Sequence, residues 1–591
     1  MTRLFDLIDA YTSSAKESPG LYAFREGKWL KWDKKAILNG VAILRKWFSS
    51  RGIIQGDRIM TIPELGSPEW MMIDWACWME GIVLVPVHKT VDSAILKKII
   101  LQTSPAVCIA SDLGQYHKAR SMAPNLETYH LEYHAEYSLP VLSQLLHPQQ
   151  QSAPMEGPPS ISPDALACIM YTSGTSGAPK GVQLSHANIV SNIEAVRRLL
   201  PLRPGHRTLS FLPYSHIFER TSCLTYVSLG VDLYFSSGKD HLLRDFQQVR
   251  PHFFTAVPRM LEKTYDYVIG MQLSANPLKR WLAKWAVRVG KQYGTDRGRG
   301  VFFGMKLWAS RQLYYRFWHR RMGGSVRWVA VGAAALPSAI AQIFGAAGVQ
   351  VREGYGMTET SPVISFNRFD KRGNKPGSVG KAVEGVQIKL LKKKQEDQHG
   401  EIVVRGPNVM SGYYKDPEGT LDAFTKDGWL KTGDIGKIDE AGFLTITDRA
   451  KDIFKTSSGK YIAPARMEQL FCNSPYIHQC LYIGANRPFP TAVVVPNFHL
   501  LKRWAKRNKI HWTSPQYMVH NIKIVDKIQS QIDQINQDLP NYKRVRSFVL
   551  CHEEWTAASG DISASLKLVR KQLLEKYQKQ INKLYPAYNK S

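Results

Sequence analysis

The feature that most constrains this chain is an apolar run followed directly by a loop rich in serine, threonine and glycine. The run covers residues 165–171, and the loop ends in Pro179-Lys180-Gly181. An uninterrupted apolar run of this length is typical of a buried strand. Glycines let backbone N–H groups approach a polyanion, hydroxyl groups add donors, and the lysine adds a positive charge. The pattern therefore predicts a phosphate-binding loop, with these candidate residues: Thr172, Ser173, Gly174, Thr175, Ser176, Gly177 and Lys180.

The loop is not the P-loop of Walker-type nucleotidases. That motif needs Gly-Lys-Ser/Thr at the start of a helix, whereas here Pro179 precedes the lysine and Gly181 follows it. The alternative is a flexible linker, because Ser/Gly-rich stretches are common between domains. A linker is not expected to follow a seven-residue apolar run or to end in Pro-Lys-Gly, so we favour the phosphate loop.

Size and charge bound the remaining possibilities. A chain of 591 residues is too long for one core and predicts two or more domains. The formal net charge of +29 predicts anionic partners: nucleic acid, lipid headgroups, or nucleotide and CoA substrates. The most apolar window, residues 70–87, is broken by Asp74 and Glu80, so it predicts core and not a membrane span. Seven scattered cysteines without a Cys-x-x-Cys pair favour a reduced, cytoplasmic protein without structural zinc.

The order of apolar runs predicts an α/β fold. From about residue 164 to 380, short apolar runs alternate with amphipathic stretches, as in a doubly wound, mostly parallel sheet. Alternating runs between residues 383 and 447 predict a small β unit. The predicted strands are Thr208–Leu212, Asp232–Phe235, Phe253–Val257, Val326–Val331, Val386–Leu391, Glu401–Arg405 and Phe443–Thr447. We place the domain boundary between a large N-terminal domain, 1–448, and a smaller α+β domain, 449–591, that ends in a lysine-rich helix over residues 566–584.

A second motif extends from Glu353 to Thr360. Glycines on both sides of Tyr355 suit a turn that lays an aromatic ring against a flat base. Glu359 supplies an oxygen that suits Mg²⁺, which prefers carboxylates together with phosphate oxygens; Thr172 is the candidate second ligand. The alternative is a tight turn with a surface glutamate. The candidate binding residues of this motif are Glu353, Gly354, Tyr355, Gly356, Thr358 and Glu359.

Two further motifs follow towards the C-terminus. Asp434 comes directly after a glycine, where its carboxylate can accept hydrogen bonds from both hydroxyls of a ribose; the alternative is a turn aspartate.

Residues 447–464 are rich in charge and glycine and form the next candidate motif; the alternative is a charged linker between domains. Its candidate residues are Arg449, Lys451, Lys455, Gly459 and Lys460.

Three candidates depend more on their surroundings. His216 lies in Phe-Leu-Pro-Tyr-Ser-His-Ile-Phe-Glu-Arg, although a lone histidine is more often a hydrogen-bonded core residue. Gly332 opens a run of small residues after a predicted strand. Lys567 lies in Ser-Ala-Ser-Leu-Lys-Leu-Val-Arg; the alternative is a lysine on a helix surface, and Lys571 is the second choice.

Together these strings resemble, in the same order, the motifs of the AMP-forming adenylating enzymes: acyl-CoA synthetases, luciferase and peptide-synthetase adenylation domains. The resemblance covers about residues 165–570 and implies a mobile C-terminal domain. One departure is Leu566, which stands where the family usually has glycine. For the nucleotide, the resemblance implies that Tyr355 stacks on adenine, Gly332 borders adenine, and Asp434 and Arg449 bind ribose. It implies that Glu359 binds Mg²⁺, that Lys567 contacts the α-phosphate, and that His216 lies near the acyl carboxylate and the thiol. It further implies that Lys451 is the hinge and that three residues lie on the side that faces CoA: Lys455, Gly459 and Lys460.

Within that family, the chain is most similar to long-chain fatty acyl-CoA synthetases. The string around His216, the string over residues 454–464 and a long insertion after residues 257–259 carry this similarity. It implies that ATP, Mg²⁺ and CoA are used to convert a long-chain fatty acid to acyl-AMP and then to acyl-CoA. The alternatives are a ligase for a different carboxylate or for acyl carrier protein, and a degenerate protein that binds acyl nucleotides without turnover.

The insertion, at about residues 265–325, is strongly basic. Residues 279–321 hold twelve Lys and Arg, one acid and many aromatic residues. Three interpretations stay open: a solvated basic face, peripheral contact of a cytoplasmic protein with the anionic inner face of a membrane, and nucleic-acid binding. For the second, Trp281, Trp285 and Val289 fall on one helical face. No recognised nucleic-acid module accompanies the segment, so we favour the third least.

Overall fold

The structure is a computed structural model of the chain, and it describes most of the sequence. The described residues are 1–8, 19–131, 146, 157, 159–173, 179–270, 276–294, 300–370, 372–392, 396–449, 454–455, 461–462, 464–556, 559–562 and 568–585.

Three sheets make up the N-terminal part. Its strands, in chain order, are β1 (Leu21–Arg25), β2 (Lys28–Trp32), β3 (Arg58–Ile62), β4 (Val83–Pro86), β5 (Val107–Ala110), β6 (Glu127–His130), β7 (Leu166–Ser173), β8 (Pro179–Ser185), β9 (Arg207–Ser210), β10 (Asp232–Phe235), β11 (Phe253–Ala256), β12 (Trp328–Val331), β13 (Gln350–Gly356), β14 (Val363–Phe366), β15 (Lys381–Ala382), β16 (Gln387–Leu391), β17 (Gly400–Arg405), β18 (Gly412–Tyr413), β19 (Leu430–Ile438) and β20 (Leu444–Arg449).

The two large sheets are mostly parallel. Among the described strands, one sheet has the order β15-β14-β13-β12-β11-β9-β10-β1-β2 and is parallel from β13 to β1. The other has the order β18-β8-β7-β4-β3-β5-β6 and is parallel from β7 to β6. The third sheet, β16-β17-β19-β20, is antiparallel. This confirms the predicted doubly wound α/β fold with a small β unit, and each predicted strand lies within two residues of an observed one.

Helices cover the faces of the large sheets, as parallel connections require. Those of the N-terminal part are α1 (Lys34–Ser50), α2 (Pro68–Met79), α3 (Ser93–Thr103), α4 (Leu113–Met122), α5 (His186–Arg197), α6 (Ile217–Ser228), α7 (Leu242–Val249), α8 (Pro258–Gly270), α9 (Pro277–Gly290), α10 (Val301–Ser310), α11 (Arg316–Arg321), α12 (Ser338–Ala346) and α13 (Pro417–Ala423). A π-helical turn over Arg311–Tyr315 joins α10 to α11.

The C-terminal part is a smaller α+β unit. Its described strands are β21 (Phe454–Lys455), β22 (Tyr461–Ile462), β23 (Ile477–Ile483), β24 (Thr491–Pro496) and β25 (Ser547–Leu550). Its described helices are α14 (Pro464–Cys472), α15 (Phe498–Arg507), α16 (Pro515–Met518), α17 (Ile522–Gln537), α18 (Arg570–Lys576) and α19 (Gln578–Lys583).

The single helix predicted over residues 566–584 is wrong. The described part of that stretch forms two short helices, α18 and α19, that meet at Tyr577. The ring of Tyr577 is buried, and its hydroxyl lies 2.8 Å from Sγ of Cys551 and 3.0 Å from Nε1 of Trp555. We attribute the break to this anchor, since Tyr577 has a φ of −103° and a ψ of 11°, which is not helical.

The apolar window over residues 70–87 is core, as predicted. Every residue of α2 is buried, and the Ser67 hydroxyl caps its first turn by accepting a hydrogen bond from the Trp70 N–H. None of the described helices has both the length and the apolar content that crossing a membrane requires. The acid in this window, Asp74, is paired in the core with Arg220 of α6, and it also accepts a hydrogen bond of 2.8 Å from the Tyr214 hydroxyl.

One cluster of charged side chains joins the two parts. Arg259, in the first turn of α8, donates to Oε1 of Glu554 over 2.8 Å, and the same oxygen lies 2.9 Å from Nε2 of His478. At the other end of α8, Arg503 donates to the Gly270 carbonyl over 3.3 Å. The C-terminal part is therefore held to α8 at both ends of that helix.

The buried pair of Asp74 and Arg220 gives a test of the core. Arg220→Met leaves Asp74 buried without its cation, so we expect the free energy of unfolding to fall by about 3–5 kcal/mol. The double variant Asp74→Leu/Arg220→Met removes both charges and should recover most of that loss. Denaturant unfolding of the three proteins measures this, and a double variant as unstable as Arg220→Met would contradict it.

Candidate active site

The predicted phosphate loop connects the two strands of a β-hairpin. β7 and β8 pair antiparallel, with Thr172 opposite Lys180, so that Lys180 lies in a strand and not at the start of a helix. This agrees with the prediction that the loop differs from a Walker-type P-loop. Four predicted loop residues lie outside the described residues, as does the side chain of Ser173: Gly174, Thr175, Ser176 and Gly177.

Lys180 lies at the base of this loop beside β18. Strand β18 pairs with β8, so that Tyr413 is opposite Val182. Nζ of Lys180 lies 4.6 Å from the centre of the Tyr413 ring and 3.9 Å from Oδ2 of Asp416. The cation is half-buried against an aromatic face, and this holds the lysine near the end of the hairpin.

Glu359 faces the same tyrosine. It lies in a 3₁₀ turn, Thr358–Thr360, that follows β13, and the Met410 N–H donates to its carbonyl over 2.9 Å. The Tyr413 hydroxyl donates to Oε1 of Glu359 over 2.9 Å. Burial raises the pKa of Glu359, while the Tyr413 hydrogen bond and the charge of Lys180 oppose that rise. Glu359 is thus a buried carboxylate and not the surface glutamate of the alternative interpretation.

The donor set fits Mg²⁺ bound together with a phosphorylated substrate. The described residues contain no group of three or more His, Cys, Asp or Glu that could hold a metal by themselves. Magnesium is commonly held by one or two carboxylates plus phosphate oxygens and water, so one carboxylate suffices. The carboxylate of Glu359 fits this requirement, and Thr172 on the neighbouring hairpin has a hydroxyl that fits a further position.

The predicted adenine and ribose residues meet. Tyr355 lies in β13 and Asp434 in β19, and the Tyr355 hydroxyl donates to Oδ2 of Asp434 over 2.6 Å. The following Gly356 is required by space, since a Cβ there would lie 1.9 Å from the Pro362 carbonyl oxygen; at Gly354 a Cβ would meet the Phe366 ring at 2.8 Å. The structure therefore brings together two residues that are 79 positions apart in the sequence.

Glu353 and Gly332 lie on neighbouring strands. Val331 of β12 is opposite Glu353 of β13, and the Leu336 N–H donates to Oε2 of Glu353 over 3.3 Å. Burial raises the pKa of Glu353 to about 7. A Cβ at Gly332 would lie 3.2 Å from the Phe218 ring, so the chain after β12 runs close to α6. Glu353 thereby fixes the stretch of small residues that follows Gly332.

His216 is two positions before Phe218, the residue that a Cβ at Gly332 would contact. It precedes α6, and in the described chain its buried Nε2 has no hydrogen-bond partner. Its ring centre lies 5.1 Å from that of His88, which follows β4. Burial lowers the pKa of His216, so the ring is neutral at pH 7. It is therefore not the hydrogen-bonded core histidine of the alternative interpretation.

Two residues of this site, Tyr413 and His88, were not predicted from the sequence. They contact or face predicted residues, but neither lies in a stretch whose pattern marks a site. Phe218 lies in the string around His216, but that string did not single it out. Tyr413 is placed only by the pairing of β18 with β8, which connects positions more than 200 residues apart.

The predicted residues of the C-terminal part are mostly not placed. Strand pairing sets the backbone of Arg449 opposite Asp434 and that of Lys455 opposite Tyr461, but the side chains of Arg449 and Lys455 lie outside the described residues. The other four predicted residues there lie outside them entirely: Lys451, Gly459, Lys460 and Lys567.

Solved structures with this fold are adenylation domains and CoA synthetases. The adenylation domain of a carboxylate reductase from Mycobacterium chelonae matches with a TM-score of 0.77 and 22% identity, covering 99% of this chain and 91% of that one. The o-succinylbenzoate CoA synthetase of Bacillus subtilis matches with a TM-score of 0.69 and 20% identity, covering 97% and 98%. The chain thus shares the two-part α/β fold of these structures.

Sequence comparison places the chain in a family. The AMP-binding enzyme family matches residues 12–414, and the AMP-binding enzyme C-terminal domain matches residues 451–589. Long-chain-fatty-acid–CoA ligase FadD15 of Mycobacterium bovis is 30% identical over 583 residues, covering 95% of this chain and 93% of that protein. Human long-chain-fatty-acid–CoA ligase 6 is 30% identical over 593 residues, covering 94% and 82%. The chain belongs to the AMP-binding enzymes, on the branch of the long-chain fatty acid–CoA ligases.

The bond between Tyr355 and Asp434 gives a test of the nucleotide site. Tyr355→Phe keeps the ring but removes the donor to Asp434, so we expect the KM for ATP to rise about tenfold. Tyr355→Leu also removes the ring and should raise it further. ATP–pyrophosphate exchange measures both. An unchanged KM in Tyr355→Phe, or equal effects of the two variants, would contradict this assignment.

Proposed function

We propose that the protein is an ATP-dependent ligase that converts a long-chain fatty acid to acyl-AMP and then to acyl-CoA, releasing pyrophosphate and AMP. The observation that carries the proposal is the convergence of Lys180, Glu359, Tyr355 and Asp434, from three sheets, beside the phosphate-loop hairpin. The named activity of the relatives, long-chain fatty acid–CoA ligation, supports the substrate class.

In the first half-reaction, a carboxylate oxygen of the fatty acid attacks the α-phosphorus of ATP. The new O–P bond replaces the bond to the β-phosphate, and pyrophosphate leaves. The hairpin and Lys180 hold the phosphates, while Tyr355 and Asp434 position adenine and ribose. Lys567 neutralises charge that develops on the α-phosphate. Mg²⁺, held by Glu359 and Thr172, supplies further neutralisation of the phosphate oxygens when bound.

In the second half-reaction, the CoA thiol attacks the acyl carbonyl and forms the thioester. The C–O bond of the mixed anhydride breaks, AMP leaves, and the thiol proton is released to solvent. The neutral His216, with Nε2 unpartnered among the described residues, lies near the carboxylate and the thiol in this proposal and can accept a hydrogen bond there. Exclusion of water from this region prevents hydrolysis of the adenylate.

We assign the change between the half-reactions to the C-terminal domain, residues 449–591. Lys451 is its hinge, and Lys455, Gly459 and Lys460 come to lie towards CoA as Lys567 withdraws. The movement requires release of the contacts that Arg259 and Gly270 of α8 make with the C-terminal part. We further place the enzyme in the cytoplasm, in peripheral contact with an anionic membrane.

The first experiment identifies the reaction. The purified protein is incubated with ATP, Mg²⁺, CoA and a mixture of short, medium, long and aryl carboxylic acids, and the products are measured by mass spectrometry. We expect long-chain acyl-CoA with stoichiometric AMP. Selective conversion of another acid would reassign the substrate, acyl-AMP without thioester would indicate a carrier protein as acceptor, and no AMP from any acid would contradict an enzymatic role.

The role of Lys567 is tested by separating the half-reactions. Lys567→Ala should lower the rate of acyl-AMP formation by about 10²-fold or more, as expected for loss of a charge that acts on the transition state. It should leave thioester formation from supplied acyl-AMP largely intact. Lys571→Ala is the matched control, and equal losses in both half-reactions for Lys567→Ala, or a larger loss of adenylation in the control, would contradict the assignment.

A further inference from the structure

The basic insertion folds into a layer of helices on the nine-stranded sheet. Helices α9, α10 and α11 and the π-helical turn between the last two pack against one another. One side of this layer lies in a core cluster with strands β11 and β12, through Ala283, Ala286, Tyr315 and Trp318. These buried contacts fix which side of each helix is turned outward.

The outward side is unusually apolar. Of the eighteen large hydrophobic residues that are exposed in the described chain, eight lie between residues 278 and 317. The two most exposed are on α10, where Val301 is 81% and Phe302 83% exposed; Trp308 of the same helix is 65% exposed. Isolated exposed hydrophobic residues are ordinary, whereas a cluster of this kind marks an interaction surface. The eight residues, which we call the apolar patch, are Leu278, Trp281, Val301, Phe302, Met305, Trp308, Leu313 and Phe317.

The face predicted from the sequence for this contact is partly wrong. Trp281 is exposed and its ring stacks parallel to that of Trp285, with centres 6.3 Å apart, but Val289 is buried in the core. Because the sides of α9 that carry Ala283 and Val289 pack inward, α9 contributes only its first turns to the patch. Most of the patch lies on α10 and the turn that follows it.

Cations surround the patch. Of the exposed basic side chains in the same helices and turns, seven form no ion pair within the described residues: Lys279, Lys284, Arg288, Lys291, Lys306, Arg316 and Arg320. In the whole stretch of residues 279–321 there is one acid. The surface therefore carries a positive potential that no neighbouring carboxylate of the insertion offsets.

We propose that the apolar patch docks on the surface of an anionic lipid bilayer. Aromatic and aliphatic side chains of α10 enter the boundary between headgroups and acyl chains, and the surrounding lysines and arginines contact anionic headgroups. An anionic bilayer is favoured over other partners because its charge is opposite to that of the basic side chains around the patch. A second copy of the chain would present the same positive charge and be repelled, and a nucleic acid would leave the aliphatic members of the patch in water.

The docking stands on this surface and not on the catalytic site. Docking would place the proposed fatty-acid ligase next to a source of acyl chains. The biological use of the docking therefore rests on the proposed function. Binding to lipid is measured without ATP or fatty acid, and thus a failure of docking and a failure of the ligase activity are distinguishable.

The test is cosedimentation with vesicles. The full-length protein should bind phosphatidylcholine vesicles that contain phosphatidylserine more tightly than pure phosphatidylcholine vesicles, and added salt should weaken binding. Phe302→Ser/Trp308→Ser should reduce the partition coefficient about tenfold or more, because two large apolar side chains no longer enter the lipid. Lys279→Gln/Lys284→Gln/Arg288→Gln should reduce binding only to the vesicles with phosphatidylserine.

The matched control is Ile54→Ser/Tyr517→Ser, which removes two equally exposed hydrophobic residues outside the patch and should bind as the unaltered protein does. Thermal unfolding confirms that all variants fold, as expected for exposed positions. The proposal is overturned by absence of binding to both vesicles, by equal binding to both, by an unchanged partition of Phe302→Ser/Trp308→Ser, or by equal losses in the control. Retention on an oligonucleotide but not on vesicles would assign the surface to nucleic acid instead.

Discussion

The candidate site depends on the pairing of β8 with β7 on one side and with β18 on the other. The first pairing brings together the two strands that the Ser/Thr/Gly loop connects, with Thr172 opposite Lys180. The second sets Tyr413 beside that lysine and within hydrogen-bond distance of Glu359. Backbone hydrogen bonds thereby collect a cation, an aromatic ring and a carboxylate from three distant parts of the chain. The side chains provide the charges and the hydrogen-bonding groups of the site, while the strand pairing sets the distances between them.

The sequence predicted the strands and the site residues for different reasons. Strands such as Phe253–Val257 were found because a parallel sheet covered by helices requires short, mostly apolar runs, and these are visible locally. Tyr355, Glu359 and Asp434 were found because they lie in strings that resemble a family. The contacts between them were not predictable, since the 2.6 Å hydrogen bond between Tyr355 and Asp434 exists only once β13 and β19 have packed.

Two predictions, the exposed face of α9 and the single helix over residues 566–584, were partly or wholly wrong. Helical periodicity shows that a helix has an apolar face, but it does not show which part of the fold packs on that face. The apolar face of α9 continues to Val289, yet Val289 is buried in the core while Trp281 is exposed to solvent. In the lysine-rich C-terminal stretch, helical spacing continues through Tyr577, but the hydroxyl of that tyrosine is bound by Cys551 and Trp555, and the helix ends there. In both places tertiary packing overrides a local preference.

The two contacts on α8 have a mechanical consequence. Arg259 and Gly270 are eleven residues apart on one helix, about 16 Å at the usual helical rise. A single contact would let the C-terminal part rotate about that point. With contacts at both ends of a stiff helix, rotation about either contact strains the other. The movement proposed for the C-terminal domain would therefore require the release of both contacts.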